Sequence, residues 1–256
     1  MSIIYGPVPS WRLGESLGID LLSTRGKTCS FDCVYCQLGK NVQPMMERKE
    51  FVSITRLATA LEPLRGIKVD YVTFSGVGEP TLAGNLGQAI EIARSVLGLP
   101  IAVLTNSSLV AEESVRKDLA LADTVIMKLD APDEKLFRTI NRPVIRYRLR
   151  EIIGGIKQFR SEFSARLALQ IMLIEANKHC AQELAGIAKQ ISPDEIQINT
   201  PLRPCAVEPL SPKQIDSMRQ AFSGFRNVVT VYEASRPEVV PLNMKETRRR
   251  RPEKED

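Results

Sequence analysis

Two hydrophobic patterns alternate along the chain. Short, nearly continuous apolar runs rich in β-branched residues fall at 17–22, 70–74, 101–105, 124–131, 166–174 and 195–199, which is how buried strands read. Between them lie longer stretches, 54–64, 85–96, 115–121, 134–139 with 146–159, and 179–191, whose apolar residues recur at helical spacing. A further helix is expected over 211–222 and a β-rich strand over 227–232. The opening segment, from Tyr5 to Ser16, holds too many Gly and Pro for a helix. Strands alternating with helices predict an α/β fold, a parallel sheet with right-handed crossovers that curls into a partial (β/α)6, TIM-like barrel. The expected division is a core barrel over 1–205, a short C-terminal α/β extension over 206–245 that covers it, and a charged tail over 246–256.

Polar residues interrupt these apolar strands at telling places. In the run from Thr124 to Ala131, Val125, Met127 and Leu129 share one face, and Thr124, Ile126, Lys128 and Asp130 share the other. Burying Lys128 and Asp130 without partners is expensive, so an interior that holds a charged ligand suits them; a mutual ion pair, or a solvent-facing Lys128, is the alternative. Gln170 with Met172, and Gln197 with Asn199, repeat the pattern on the next two strands. Barrel sites lie at the C-terminal ends of strands, which brings Gly76–Glu79, Thr105, Lys128, Gln170 and Asn199 towards one rim. Trp11 and Arg12 are candidates for the substrate mouth, and Arg138 and Arg142 for an anionic substrate group.

Composition narrows the class. The 256 residues are 43% hydrophobic and 25% charged, enough for one large core. No apolar stretch approaches the ~20 residues needed to cross a bilayer, and the segment from Met1 to Tyr5 lacks a signal-peptide pattern, so a cytoplasmic protein without a membrane partner is expected. Net charge is +5 with pI near 9.0, which favours an anionic partner, but much of the excess sits in Arg248–Arg251, a run more often solvated than functional.

Three of the five cysteines, Cys29, Cys33 and Cys36, fall within eight residues. The spacing C-x3-C-x2-C lets one loop present three thiolates to three corners of an iron–sulfur cubane, leaving one iron without a protein ligand. A structural zinc site wants four N or S ligands, and Cys180, Cys205 and the lone His179 supply no second short pair. An odd, crowded set of cysteines argues against disulfides. Cys205 has three readings: radical acceptor, ligand to a second cluster, or small apolar residue.

This cysteine pattern resembles that of the radical S-adenosylmethionine (SAM) superfamily. The wording GPVPSWRLGESLGID (6–20) followed by KTCSFDCVYCQLG (27–39) is similar to a group of iron–sulfur oxidoreductases related to the wyosine-tRNA (4-demethylwyosine) synthases. The resemblance implies a 4Fe–4S cluster on Cys29, Cys33 and Cys36, with SAM chelating the open iron and Tyr35 near its adenine. It likens Gly76-Val-Gly-Glu-Pro80 to the family's glycine motif, which bonds the SAM amino group, here with one residue between Gly76 and Gly78 ahead of Glu79. Thr105 and Asn106 match a T-N-G strand end, and Lys128 to Asp130 an S-L-D strand end with Lys in place of Ser. The implied activity is that of an oxidoreductase or transferase in which reductive cleavage of SAM yields a 5′-deoxyadenosyl radical that takes hydrogen from a substrate. A tRNA base is one candidate substrate, and an external low-potential donor such as flavodoxin or ferredoxin is the implied electron source. The alternative from another class is an iron–sulfur electron carrier without SAM chemistry.

Overall fold

Apolar strands separated by amphipathic helices bury both faces of a sheet when helices cover both, or when they cover one and the sheet curls over the other; this chain takes the second course. The structure, a computed structural model, describes residues 2–144 and 147–253. In chain order it contains β1 (Ile4–Ser10), β2 (Gly14–Ile19), the two-residue strands β3 (Thr28–Cys29) and β4 (Gln43–Pro44), α1 (Ile54–Leu61), β5 (Tyr71–Phe74), α2 (Leu86–Leu97), β6 (Ile101–Thr105), α3 (Glu113–Leu119) and β7 (Thr124–Lys128). Then come α4 (Glu134–Ile140), α5 (Leu149–Glu162), β8 (Arg166–Met172), α6 (Ala181–Ile191), β9 (Glu195–Asn199), α7 (Pro212–Arg219), β10 (Val228–Thr230) and α8 (Met244–Arg250). The expected start of a helix at Arg146 and the last three residues of the tail, 254–256, lie outside the described residues.

The main sheet runs β1-β2-β5-β6-β7-β8-β9-β10; β1 is antiparallel to β2 and every other pairing is parallel. It curls into a half-barrel with β1 and β10 as its two edges. Outside the curl, the helices and sheet share one core that includes Val125, Met127 and Leu129 from β7 and its end. There Phe159 of α5 is fully buried and stacks on Phe163 at 4.7 Å, a contact whose truncation costs about 3–5 kcal/mol. Inside the curl, Leu13, Ala102, Ile126 and Ala168 form a separate small apolar group, as the alternation on β7 requires. The register sets Lys128 beside Gln170 and Gln170 beside Gln197, so these polar side chains form a row across three strands.

Two elements depart from the expected pattern. β1 forms despite Pro7 and Pro9, because it is an edge strand where a missing N–H costs no ladder bond. The charged tail is the second correction. Residues 244–250 form a helix capped by Asn243, whose side chain accepts the Glu246 amide, and Gly6 N donates to Thr247 Oγ1 (3.0 Å), seating the helix on β1. Arg250 is buried rather than solvated because Asp20, equally buried, neutralises it at 2.8 Å. The segment from Val231 to Arg251 therefore passes from the β10 edge to the β1 edge across the open side of the barrel, with Val231 N on Ile198 O and Leu242 N on Gly6 O. Among the described residues, no helix is long and apolar enough to cross a membrane.

Candidate functional site

The cysteine loop is built by local hydrogen bonds. At the end of β2, Asp20 Oδ1 accepts the amides of Leu22 (3.2 Å) and Ser23 (3.0 Å), turning the chain into the loop. Lys27, almost fully buried, bridges Asp32 (3.1 Å) and the Gly39 carbonyl (3.2 Å), and Asn41 donates to the Cys29 carbonyl. Val34 N reaches the Ile140 carbonyl (2.9 Å), tying the loop to the end of α4. All three cysteines are free; Cys29 is buried, Cys33 and Cys36 half-buried. Their sulfurs meet donors: Phe31 N (3.5 Å) and Asn106 Nδ2 (3.4 Å) point at Cys29 Sγ, and Asn141 Nδ2 (3.6 Å) at Cys33 Sγ.

Burial pushes the Cys29 thiol up to about 12, with Glu79 and Cys33 adding repulsion, and burial likewise raises Cys33. Lys27 is held above its ordinary pKa: burial opposes its charge, but the nearby cysteines, Cys36 foremost, and Asp32 outweigh it. Among the described residues, no group of three His, Cys, Asp or Glu side chains is drawn tightly around one ion.

The glycine loop after β5 packs against this loop and β2. A Cβ on Gly78 would lie 1.6 Å from the Thr28 carbonyl oxygen, and one on Gly76 would lie 2.3 Å from Asp20 Cγ. The space both glycines leave is filled by the chain itself, by Thr28 and Asp20. Gly76 still lines the cavity inside the barrel; Gly78 does not. Glu79 is buried and fully used: Oε1 accepts from Thr81 N (3.1 Å), Thr81 Oγ1 (2.7 Å) and Thr105 Oγ1 (2.7 Å), and Oε2 from Asn106 N (2.6 Å). Burial raises its pKa against these bonds. Glu79 and Thr105 thus hold Asn106, whose side chain points at Cys29 and at Ser30 Oγ (2.9 Å).

The cavity, about 340 Å³, brings Tyr35, Cys36, Gly76, Lys128, Gln170 and Asn199 together. Asp130 lies beside it, buried, with Oδ1 on Met172 N (2.8 Å) and Oδ2 on Asn141 Nδ2 (2.8 Å) and on the Tyr35 hydroxyl. Lys128 forms no ion pair with Asp130; its Nζ sits over the Tyr35 ring at 4.5 Å and donates to that hydroxyl (3.3 Å). Trp11 and Arg12 line the same cavity. Arg138 does not: it pairs with Glu134 on its own helix (3.0 Å), and Arg142 is exposed on another face, so neither candidate for an anionic substrate group lines the barrel cavity. Gln197 turns to Glu195 (2.7 Å) below the cavity. Cys205 donates to the Val207 carbonyl (3.2 Å) and packs with Tyr35, Met172 and Ile174, as a small apolar residue would. Cys180 caps α6, away from the other sulfurs' donors.

Sequence reasoning missed Asn141, Asp20, Lys27, Arg236, Arg250 and Arg251. Asn141 carries no signal of its own, since Asn at the end of a helix reads as a cap. Arg251 and Arg250 were hidden inside a charge run.

Fold and loop chemistry together define the class: a partial TIM-like barrel whose cysteine-bearing loop follows its first parallel strand. The family model of the radical SAM superfamily matches residues 24–186. A UPF0026 protein of Methanocaldococcus jannaschii is 37% identical over 236 residues, 90% of this chain and 73% of its own length. Among solved structures, a radical SAM methyltransferase from Sphaerobacter thermophilus superposes with a TM-score of 0.61 at 19% identity, over 84% of this chain and 65% of that one. Archaeal TYW1 does so with a TM-score of 0.59 at 14% identity, over 85% and 73%. The chain belongs to the radical SAM superfamily, whose members use a 4Fe–4S cluster and SAM. The residues present fit that pair of groups: three unbridged thiols on one loop, N–H donors aimed at two of the sulfurs, and a polar cavity beside them.

Proposed function

We propose that this radical SAM enzyme holds its cluster on Cys29, Cys33 and Cys36 and acts on a substrate lodged inside the half-barrel. The observation that carries this reading is the cysteine loop opening onto the cavity that also collects Gly76, Lys128, Gln170 and Asn199. When bound, cluster and SAM supply a 5′-deoxyadenosyl radical that abstracts hydrogen. The protein's own part is position and dryness. Asn106 and Asn141 donate to the sulfurs, an interaction that tunes a cluster's potential. Glu79 and Thr105 fix Asn106, and Asp130 with Asn141 fixes Tyr35 at the cavity wall. Lys128, Gln170 and Asn199 offer one cation and two amides to the polar groups of SAM and substrate. Radical SAM enzymes draw their electron from an external reductant; flavodoxin or ferredoxin is the donor proposed here. A tRNA base is one candidate substrate, beside a small metabolite or a protein side chain.

The test is anaerobic reconstitution with iron and sulfide, followed by SAM and a strong reductant. Wild type is expected to carry a cluster and release 5′-deoxyadenosine, and Cys33→Ala to lose both. Undiminished product from that variant, or a cluster whose electron paramagnetic resonance signal ignores SAM, would refute the assignment; the second result would favour an electron carrier.

A further inference from the structure

Six basic side chains line the barrel cavity, Arg12, Lys128, Arg203, Arg236, Arg250 and Arg251, and among the described residues no carboxylate does. Arg250 is neutralised by Asp20 and Glu246, and Lys128 is engaged by Tyr35. The other four make no ion pair among the described residues; Glu195 and Glu253 act on them only at longer range. They come from four separate places: the β1–β2 turn, the loop after β9, the strap after β10 and the end of α8. Arg12 Nε is buried with no partner, its guanidinium 4.2 Å over the Trp11 ring, and Arg251 Nη2 has only the Pro9 carbonyl at 3.3 Å. Burial and the other guanidiniums pull Arg12 down to about 9 and Arg203 to about 10. A guanidinium stays charged at neutral pH regardless, so burial, with mutual repulsion added to it, leaves charges here that a bound anion would compensate.

We propose that Arg12, Arg203, Arg236 and Arg251 form a subsite for a phosphate or diphosphate group carried by the substrate. The inference rests on the reading that this cavity receives the substrate. The single carboxylate of SAM is satisfied by one bidentate guanidinium, which leaves the rest of the cluster unmatched. A phosphate brings close to two negative charges and three strong acceptor oxygens, and planar guanidinium forks suit it. Two sources share this chemistry, a small phosphorylated molecule and the backbone of an RNA strand.

The experiment titrates inorganic pyrophosphate, and separately a short single-stranded RNA, into the reconstituted, SAM-loaded chain by calorimetry, with cluster absorbance followed to detect iron loss. Saturable pyrophosphate binding is expected, weakened about 10- to 100-fold in Arg203→Gln and in Arg236→Gln, the range for losing a charged hydrogen bond. Arg236 is exposed, so its replacement does not threaten the fold, and Arg248→Gln, exposed and outside the cavity, should bind as wild type. RNA that competes with pyrophosphate and loses about one unit of salt slope per arginine removed identifies the nucleic-acid source. RNA that does not compete identifies the small-molecule source. Absence of pyrophosphate binding, or equal binding by both cavity variants and wild type, overturns the subsite. Deoxyadenosine release from the same preparations once a strong reductant is added separates the two failures: without it the cofactor reading falls, and with it but no anion binding only the subsite falls.

Discussion

Replacing Arg250 by Ala should destabilise this protein far more than any surface arginine does. Its guanidinium is buried, with Nε 2.8 Å from Asp20 Oδ2, Nη1 2.7 Å from Glu246 Oε2 and Nη2 2.6 Å from the Ser2 carbonyl. Asp20 is just as buried, so truncation strands a carboxylate in the interior, at a cost of about 3–5 kcal/mol. An exposed pair such as Arg65 with Glu62 contributes only ~0.2–1 kcal/mol. In a chain of this size each kcal/mol moves Tm by about 2–4 °C, so the melt should fall by roughly 6–20 °C. Asp20→Asn in the same background should recover part of the loss, because it removes the stranded charge while keeping an acceptor for the Leu22 and Ser23 amides. Thermal and urea denaturation of the two single variants and the double variant, followed by circular dichroism, read the coupling directly. A loss below ~1 kcal/mol, or strictly additive effects, would refute the view that α8 is locked to the end of β2 by a buried ion pair. The consequence reaches the site as well, since Gln37 Nε2 donates to the Arg250 carbonyl (2.7 Å) and Asp20 backs Gly76. The Arg250 variant should therefore retain less iron after reconstitution than wild type.

Gly78→Ala should fail to assemble the site, because its Cβ would strike the Thr28 backbone oxygen; Gly154→Ala, in open space within α5, should gain up to about 1 kcal/mol in urea denaturation. Asn141→Ala removes the donor to Cys33, Tyr35 and Asp130, costs about 1–3 kcal/mol, and should shift the cluster's potential to a more negative value in a redox titration. Glu246 is held below its ordinary 4.5: burial opposes ionisation, but the hydrogen bond and charge of Arg250 outweigh it. Its stabilisation is complete above that value and fades as pH falls through the depressed one, so Glu246→Gln should flatten the acid limb of a stability-against-pH curve.

The alternation of apolar strands and helices carried most of the architecture because burial on both faces leaves little freedom in the pattern. The strand faces were legible too: Ile126 lies inside the curl and Val125 outside. β1 was not, since its Gly and Pro content is tolerable only at an edge, and nothing local says which strand will be an edge. The reach of a polar residue was equally hidden. Gly78 marks a close approach, but only the fold says that the approaching atom is the Thr28 carbonyl.

The C-terminal arginines show why charge runs resist such reading. Arg248, Arg250 and Arg251 are chemically equal in the sequence, yet Arg248 is exposed, Arg250 is buried against Asp20, and Arg251 enters the barrel cavity. Helical geometry separates Arg248 from Arg250, because residues two apart leave the axis about 200° apart and only one of those directions faces β1, while Arg251 lies past the last helical residue. What decides their fates is the carboxylate waiting 230 residues away at the end of β2, and the lack of one, among the described residues, on the cavity wall beyond. A net charge of +5 therefore says little by itself. Its meaning comes from where cations are matched and where they are not, and four arginines without an ion pair among the described residues, Arg12, Arg203, Arg236 and Arg251, line one cavity inside the half-barrel.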